Sequence, residues 1–159
     1  MVDNGAIRIN CGGGDYLDAE ANTWASDCLF THGFHFFGGA TQFSDGIENT
    51  TSDPLYQTER YFDRERKTLP GGYRIPLPDG RYRVKLHFAE IYESAVRSFS
   101  VSLEDHVILE DYDPSQAGFA VADVKSNEVV VDDGLLNIVF TASREAAKIS
   151  AIEIERIEQ

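Results

Sequence analysis

Apolar and polar residues alternate through most of the second half of the chain, which is the pattern of a β-strand with one buried face. Residues 80–88 give the clearest case, with four apolar side chains on one face: Tyr82, Val84, Leu86 and Phe88. The same alternation runs through residues 97–103 and 135–140 and returns near the C-terminus. The 3.6-residue period of an amphipathic helix is nearly absent, so the pattern predicts a protein built from strands.

Turn sequences separate these runs and set the number of strands. Pro78-Asp79-Gly80 and Asp132-Asp133-Gly134 supply the fixed and positive φ values that tight turns require. We predict nine strands, at residues 7–10, 72–77, 81–89, 97–103, 107–109, 119–124, 128–131, 135–140 and 149–157. So many short strands favour two stacked sheets over one open sheet. The prediction is an all-β fold, a jelly-roll β-sandwich, forming a single domain over residues 1–159.

Residues 31–60 break this rhythm. Glycines recur there among phenylalanines that include Phe37 and Phe43, a composition too broken for a long strand and too aromatic for a solvated linker. Long loops inside compact domains are often functional, so we expect this segment to border a ligand site. The alternative is that the phenylalanines cover one end of the core.

Charge narrows the choice of partners. The 159 residues include 27 acidic and 14 basic side chains, which gives a formal net charge of −13. Such a field repels phosphate backbones and anionic lipid surfaces, and no window approaches the roughly 18 apolar residues of a membrane span. We therefore expect neither nucleic-acid binding nor membrane insertion.

Metal and redox chemistry have weak support in the sequence. A zinc site could be drawn from four residues whose spacing matches no standard zinc motif: Cys11, Cys28, His32 and His35. Cys11 and Cys28 could instead form a disulfide in an exported protein, which the sequence leaves open. The acidic run Asp111-Tyr112-Asp113 offers oxygen ligands for a structural calcium, although acidic loops are commonly only solvated. We expect no cofactor and no metal ligands.

Catalysis has no recognisable motif. The nucleophile elbow, the phosphate-binding loop and the metalloprotease helix are all absent from the sequence. His87 and Glu90 fall on opposite faces if their strand continues, which does not suit an acid–base pair. With 27 acids in the chain, some carboxylates must lie close together, so their abundance is no evidence for a glycosidase pair. We predict a non-enzyme without catalytic residues; a hydrolase with an unrecognised carboxylate pair is the alternative.

Two polar and aromatic runs, residues 55–61 and 87–92, place a tyrosine where a strand gives way to a loop. The tyrosine ring offers a flat apolar face and a hydroxyl, which suits the face of a pyranose. Tyr61 and Tyr92 are therefore candidates for sugar stacking. The alternative is structural: Tyr56 and Tyr82 pack inward, and Glu59 pairs with Arg60 or a neighbouring arginine.

These runs resemble the malectin domain family over essentially the whole chain. The matching motifs are Ile9-Asn10-Cys11-Gly12-Gly13, Leu55-Tyr56-Gln57-Thr58-Glu59-Arg60-Tyr61, Leu86-His87-Phe88-Ala89-Glu90-Ile91-Tyr92 and Lys148-Ile149-Ser150-Ala151-Ile152-Glu153-Ile154. The resemblance implies a galactose-binding-domain-like jelly roll that binds carbohydrate without cutting it. It also implies gluco-oligosaccharide ligands, since animal malectin is a lectin for diglucose units.

The resemblance implies six site residues: Tyr61, Tyr92, Glu93, Glu145, Phe37 and Gly38. Tyr61 and Tyr92 close the two tyrosine motifs and would stack on the sugar. Glu93 stands where the animal lectin has a phenylalanine, so one wall of its sugar clamp is replaced by a charge. Glu145 aligns with a family aspartate and would accept sugar hydroxyls. Phe37-Gly38, aligned with a tyrosine–glycine pair, or Phe43 would complete the site from the long loop.

Partners follow from the same resemblance. We expect an oligosaccharide or polysaccharide ligand and, as in bacterial relatives, a neighbouring glycoside hydrolase or other domains of a larger protein. An extracellular or secretory location is favoured over the cytoplasm, although the first residues contain no signal peptide. The rival hypothesis is a protein-interaction module of the kind found in receptor ectodomains, with Arg60, Arg81 and Arg97 as interface anchors.

Overall fold

The structure is a computed structural model that describes residues 2–3, 5–31, 34–37, 46–62 and 71–157, with the backbone alone at 2–3 and 34–37. Fourteen strands lie in this part of the chain: β1 (Val2–Asp3), β2 (Ala6–Asn10), β3 (Tyr16–Leu17), β4 (Thr23–Ser26), β5 (Phe34–Phe37), β6 (Thr58–Phe62), β7 (Gly71–Pro76), β8 (Gly80–Phe88), β9 (Ser98–Leu103), β10 (His106–Tyr112), β11 (Asp123–Val131), β12 (Leu135–Arg144), β13 (Ala147–Ile149) and β14 (Ala151–Arg156). Two 3-10 turns, Asp53–Leu55 and Pro114–Ala117, are the helical elements described. The all-β prediction is confirmed.

The strands form three sheets. The first has the order β11-β8-β14-β2-β4-β3, with β1 paired to β2, and the second has the order β10-β9-β12-β7. The third and smallest sheet has the order β13-β6-β5. Strand pairing is antiparallel in all three, apart from the parallel contact of β2 with β4.

The main core fills the space between the first two sheets. Each sheet contributes alternate apolar residues, as the sequence pattern predicts. The Phe88 ring on β8 lies 6.0 Å from the Phe99 ring on β9, measured between centroids, so the aromatic rings bridge the two sheets. Full burial of one such side chain stabilises a fold by about 1.5–3 kcal/mol.

A second, smaller hydrophobic cluster lies apart from the main core. It contains eight buried residues: Trp24, Ile47, Leu55, Tyr56, Ala89, Ile91, Ala122 and Ala151. Ile91 and Ala89 follow directly after β8, so this cluster supports the loop in which the first sheet ends.

The predicted count of nine strands is too low. Only the last two residues of the predicted strand 119–124 belong to a strand, β11, which continues without a break through the predicted strand 128–131 and pairs with β8 along its whole length. Phe119 and Val121 form isolated bridges instead. In the sequence, the polar residues in the middle of β11 look like a turn between two strands. Because β11 lies at the edge of its sheet, the strand tolerates these polar side chains. Residues 149–157, predicted as one strand, divide at Ser150 between the third sheet and the first.

The part of the chain that the structure describes contains no helix long and apolar enough to cross a membrane. Cys11 and Cys28 are both free thiols, so the disulfide that the sequence left open is not formed.

Candidate functional site

Strand β6 divides its side chains between two surroundings. Because successive residues of a strand point to opposite faces, Glu59 and Tyr61 share one face while Arg60 and Phe62 share the other. Lys148 on β13 pairs with Tyr61 in the register and therefore lies on the Glu59 face. The third sheet thus brings a carboxylate, a phenol and an ammonium group together.

Four charged side chains are buried next to one another on this face, and we call them the charged quartet: Glu59, Glu90, Arg97 and Lys148. Lys148 contacts the carboxylate of Glu59, and its Nζ lies 3.7 Å from Oε1 of Glu90. Arg97 donates from Nε to Oε2 of Glu90 at 2.6 Å. Two positive and two negative groups balance, which is the condition under which buried charges are tolerated.

The pKa of Glu90 reflects this balance. Burial raises the pKa of the carboxyl group, but the positive charge of Lys148 and the hydrogen bond from Arg97 outweigh it and hold the pKa below its ordinary value. Glu90 is therefore ionised at neutral pH, and its oxygens act as acceptors.

The quartet also fixes the loop that follows β8. Oε1 of Glu90 accepts from the backbone N–H of Tyr92 at 3.0 Å, and Arg97 donates from Nη1 to the carbonyl of Ala146 at 2.8 Å. Glu145, at a positive φ of 53°, accepts from the backbone N–H of Val96 at 3.3 Å. These bonds join the loop at residues 90–97 to the turn between β12 and β13.

An open cleft of about 950 Å³ lies between these loops. Its lining residues are Glu59, Tyr61, Ile91, Tyr92, Glu93, Ser94, Arg97, Phe119, Glu145 and Ala146. Tyr92 is 63% exposed and Phe119 is 47% exposed, so two large rings present much of their surface to solvent. Ile91, which is buried, joins the cleft to the second hydrophobic cluster. The volume of the cleft falls within the range of small-molecule sites.

Four of the six sequence-predicted site residues line this one cleft: Tyr61, Tyr92, Glu93 and Glu145. Phe37 is the last residue of β5, and its side chain, like all of Gly38 and Phe43, lies outside the described residues. Tyr56 is buried, in agreement with the structural alternative. The pairing of Glu59 with an arginine is wrong, because Glu59 contacts Lys148.

The opposite face of β6 holds a closed cluster. Arg60 donates from Nε to Oδ2 of Asp27 at 2.5 Å, and that oxygen also accepts from the backbone N–H of Gly12 at 2.7 Å. Tyr73 donates its hydroxyl to Oδ1 of Asp27 at 2.9 Å. The ring of Phe30 covers the guanidinium of Arg60, whose central carbon lies 3.4 Å from the ring centroid. Asp27 is therefore surrounded by donors, and it does not line the cleft described above.

His87 and Glu90 do not form an acid–base pair. Nδ1 of His87 lies 2.8 Å from the hydroxyl of Tyr56, whereas Glu90 is bonded to Arg97. Burial, and to a smaller extent Lys85, lower the pKa of His87 to about 4. The imidazole is thus neutral at physiological pH and is bound into the fold.

The described ranges contain no group of three or more His, Cys, Asp or Glu side chains that could hold a metal ion. His32 and the side chain of His35, which the zinc alternative requires, fall outside those ranges. In the acidic run, Oδ1 of Asp111 accepts from Ser98 Oγ at 3.1 Å, and Oδ1 of Asp113 accepts from the backbone N–H of Ser115 at 3.0 Å.

Sequence reasoning missed Phe119 and the buried partners of the site. Phe119 was assigned to a strand, and its position beside the tyrosines depends on a pairing with Glu90, 29 residues earlier in the chain. Lys148 stands between two apolar residues, which gives no sign that its ammonium group is buried among carboxylates.

Comparison with known protein families identifies the family of this chain. Residues 6–156 match the family model of the malectin domain, which is nearly the whole chain. No curated protein matches the sequence.

Three solved structures illustrate the fold. A β-glucuronidase from Bacteroides uniformis is 22% identical, with a TM-score of 0.82 over 96% of this chain and 18% of that chain. The plant receptor-like kinase FER is 26% identical, with a TM-score of 0.74 over 97% of this chain and 42% of that chain. The ANX1 ectodomain from Arabidopsis thaliana is 15% identical, with a TM-score of 0.82 over 96% of this chain and 48% of that chain. This chain therefore spans less than half the length of each.

Proposed function

Because the chain belongs to the malectin domain family, which it matches over residues 6–156, we propose that it is a non-catalytic carbohydrate-binding domain. It recognises gluco-oligosaccharides of the diglucose type. The observation that carries the proposal is the cleft, which Tyr61 of β6 lines together with Tyr92 and Glu145 from two loops that hydrogen bonds join. His87 and Glu90, the acid–base pair weighed in the sequence, are bonded to other groups.

The chemistry of these residues suits a neutral sugar. The C–H groups of a pyranose pack on a tyrosine ring, while its hydroxyls bond to carboxylates and backbone groups. Tyr92 is 63% exposed, and its backbone N–H is bonded to Glu90, so binding need not order the backbone that carries the ring. A disaccharide offers few atoms and loses hydration on binding, so the affinity is modest, roughly millimolar to micromolar.

Electrostatics favour neutral ligands over acidic ones. The quartet is balanced within itself, so among the described residues that line the cleft the exposed charges are those of Glu93 and Glu145. Two carboxylates and the overall charge of −13 repel an anionic sugar. The glucuronidase similarity covers 18% of a much longer enzyme and supports a shared fold rather than a shared substrate.

A larger protein is the natural setting for such a domain. In the structures that this chain resembles, the matching domain is one part of a longer chain. This supports a role as a binding module beside a glycoside hydrolase or other domains. The domain would then hold its partner close to a polysaccharide and raise the local concentration of substrate.

A protein-interaction module is the second candidate, since FER and ANX1 are receptor proteins with the same fold. The arginines expected as anchors give it little support. Arg60 and Arg97 are buried in ion pairs, and Arg81, which is exposed, is bonded to Glu128 at 2.6 Å. A protein partner would therefore depend on other residues, such as those of the cleft rim.

The experiment is a glycan-array screen of the purified domain, spanning α- and β-linked gluco-, galacto- and manno-oligosaccharides. The comparison is a Tyr61→Ala/Tyr92→Ala double variant, with Leu17→Ala, which alters a side chain 64% exposed and outside the cleft, as control. We expect a gluco-oligosaccharide signal that the double variant loses and the control keeps. A blank array from the folded domain contradicts the proposal, and a ligand that free sugar fails to displace favours the protein-interaction module.

A further inference from the structure

We propose that Phe119 is a sugar-binding residue and supplies an aromatic wall in the cleft that carries Glu93. This inference rests on the proposed carbohydrate function. The sequence places a carboxylate at position 93, where the lectin clamp has a ring, and the structure brings a different ring to the same cleft from elsewhere in the chain. Phe119 is 47% exposed there, beside Tyr61 and Tyr92.

The backbone around Phe119 is held from two sides. Phe119 pairs with Glu90 in a parallel bridge, and the N–H of Ala120 donates to the carbonyl of Glu90 at 2.8 Å. On the other side, the N–H of Glu48 donates to the carbonyl of Ala120 at 2.8 Å, and the N–H of Ala122 donates to the carbonyl of Glu48 at 2.9 Å. Phe119 is therefore fixed next to the segment that continues into Tyr92.

The turn before Phe119 sets the direction in which the chain enters the cleft. Gly118 has a φ of 121°, a conformation that side chains rarely adopt, and a Cβ there would lie 2.8 Å from Cγ2 of Val121. The preceding 3-10 turn, Pro114–Ala117, is capped by Asp113, whose side chain accepts from the N–H of Ser115. This segment is ordered before any ligand arrives, so a ring placed on it binds without further loss of backbone freedom.

Core packing does not account for the exposure of this ring. Ile91, on the cleft floor, is 6% exposed and already belongs to the second hydrophobic cluster. Phe119 leaves nearly half of its surface to solvent, on a wall of a site that also holds two tyrosines. Covering such a surface with the apolar face of a pyranose removes it from water and adds C–H to ring contacts.

The test compares Phe119→Ala with Phe119→Tyr by isothermal titration, using purified glucose disaccharides of each α and β linkage as probes. We expect Phe119→Ala to weaken binding at least tenfold and Phe119→Tyr to stay within about threefold of the wild type. Val130→Ala, at a residue 63% exposed on β11 and outside the cleft, is the matched control and should bind like the wild type. Gly118→Ala, which displaces the ring without removing it, should also weaken binding.

The outcomes separate the two proposals. If the wild type binds a disaccharide and Phe119→Ala binds it equally well, the role of Phe119 is wrong while the carbohydrate function stands. If the folded wild type binds none of the probes, the carbohydrate function falls and this inference falls with it. Thermal unfolding of each variant shows whether a loss of binding comes from a loss of fold, and rescue by Phe119→Tyr identifies the ring as the group required.

Discussion

The two faces of β6 bury charge in different ways. On one face, the ion pair of Arg60 and Asp27 contacts Phe30, Tyr73 and the backbone of Gly12, and none of these contacts involves a cleft-lining side chain. On the other face, Glu59 and Lys148 belong to the charged quartet, which borders the cleft and holds the loop of Tyr92. Adjacent residues of one strand thus serve separate purposes.

This difference indicates which buried charges serve stability and which serve binding. A buried ion pair gives little net stability over an apolar pair, but breaking one is costly because a lone charge remains. The hydrogen bonds given for Asp27 reach no cleft-lining side chain, so loss of its charge should affect folding much more than binding. The quartet positions Tyr92 and the Glu145 turn, so its loss should affect both folding and binding.

The largest effect is expected for Asp27→Asn. The carboxylate accepts from Arg60, Tyr73 and the backbone of Gly12, and an amide would turn an N–H group toward one of these donors. We expect the free energy of unfolding in urea to fall by about 3–5 kcal/mol. Affinity of the remaining folded protein for its sugar should not change, and a parallel loss of affinity would contradict the separation of the two faces.

Glu90→Gln, the matched amide variant on the other face, is expected to change both quantities. Removing the charge leaves two positive groups and one negative group within the quartet, and we expect a loss of roughly 3 kcal/mol in unfolding free energy. Tyr92 loses part of its support, so sugar affinity should drop about tenfold, or roughly 1.4 kcal/mol. Titration calorimetry at a temperature where the variant is folded checks this, and an unchanged Kd would show that the quartet serves stability alone.

The smallest effect is expected at the rim, for Glu93→Gln. Exposed charges interact by only about 0.2–1 kcal/mol, so binding of a neutral glucose disaccharide should change by less than threefold. A glucuronate-containing disaccharide should bind the wild type more weakly than the neutral one, and the variant should narrow that gap by a few-fold. Added salt should narrow it as well, since screening weakens exposed charges. Stronger binding of the uronate to the wild type would refute the preference for neutral ligands.

The sequence predicted the sandwich well, because alternation along β8, β9 and β12 reports burial directly. The sequence also singled out Tyr61 and Tyr92 as candidate site residues, because each closes a recognisable motif. Strand β6 was not predicted, although its five residues, once read as a strand, place Glu59 and Tyr61 on one face.

The rest of the site depends on contacts between distant parts of the chain. Lys148 meets Glu59 because β13 pairs with β6, and Phe119 enters the cleft that Tyr61 and Tyr92 line through its bridge to Glu90. Local patterning carries no signal for either contact. A buried lysine in particular looks like an outward-facing polar residue until its partner carboxylates are placed around it.

The most direct test is an NMR titration of the isotopically labelled domain with the gluco-oligosaccharide that binds best. Chemical-shift changes should cluster at the cleft residues Tyr61, Tyr92, Phe119 and Glu145, while Asp27 and its neighbours remain unchanged. Changes centred on the Asp27 face, or none at saturating sugar, would contradict the assignment of the cleft as the carbohydrate site.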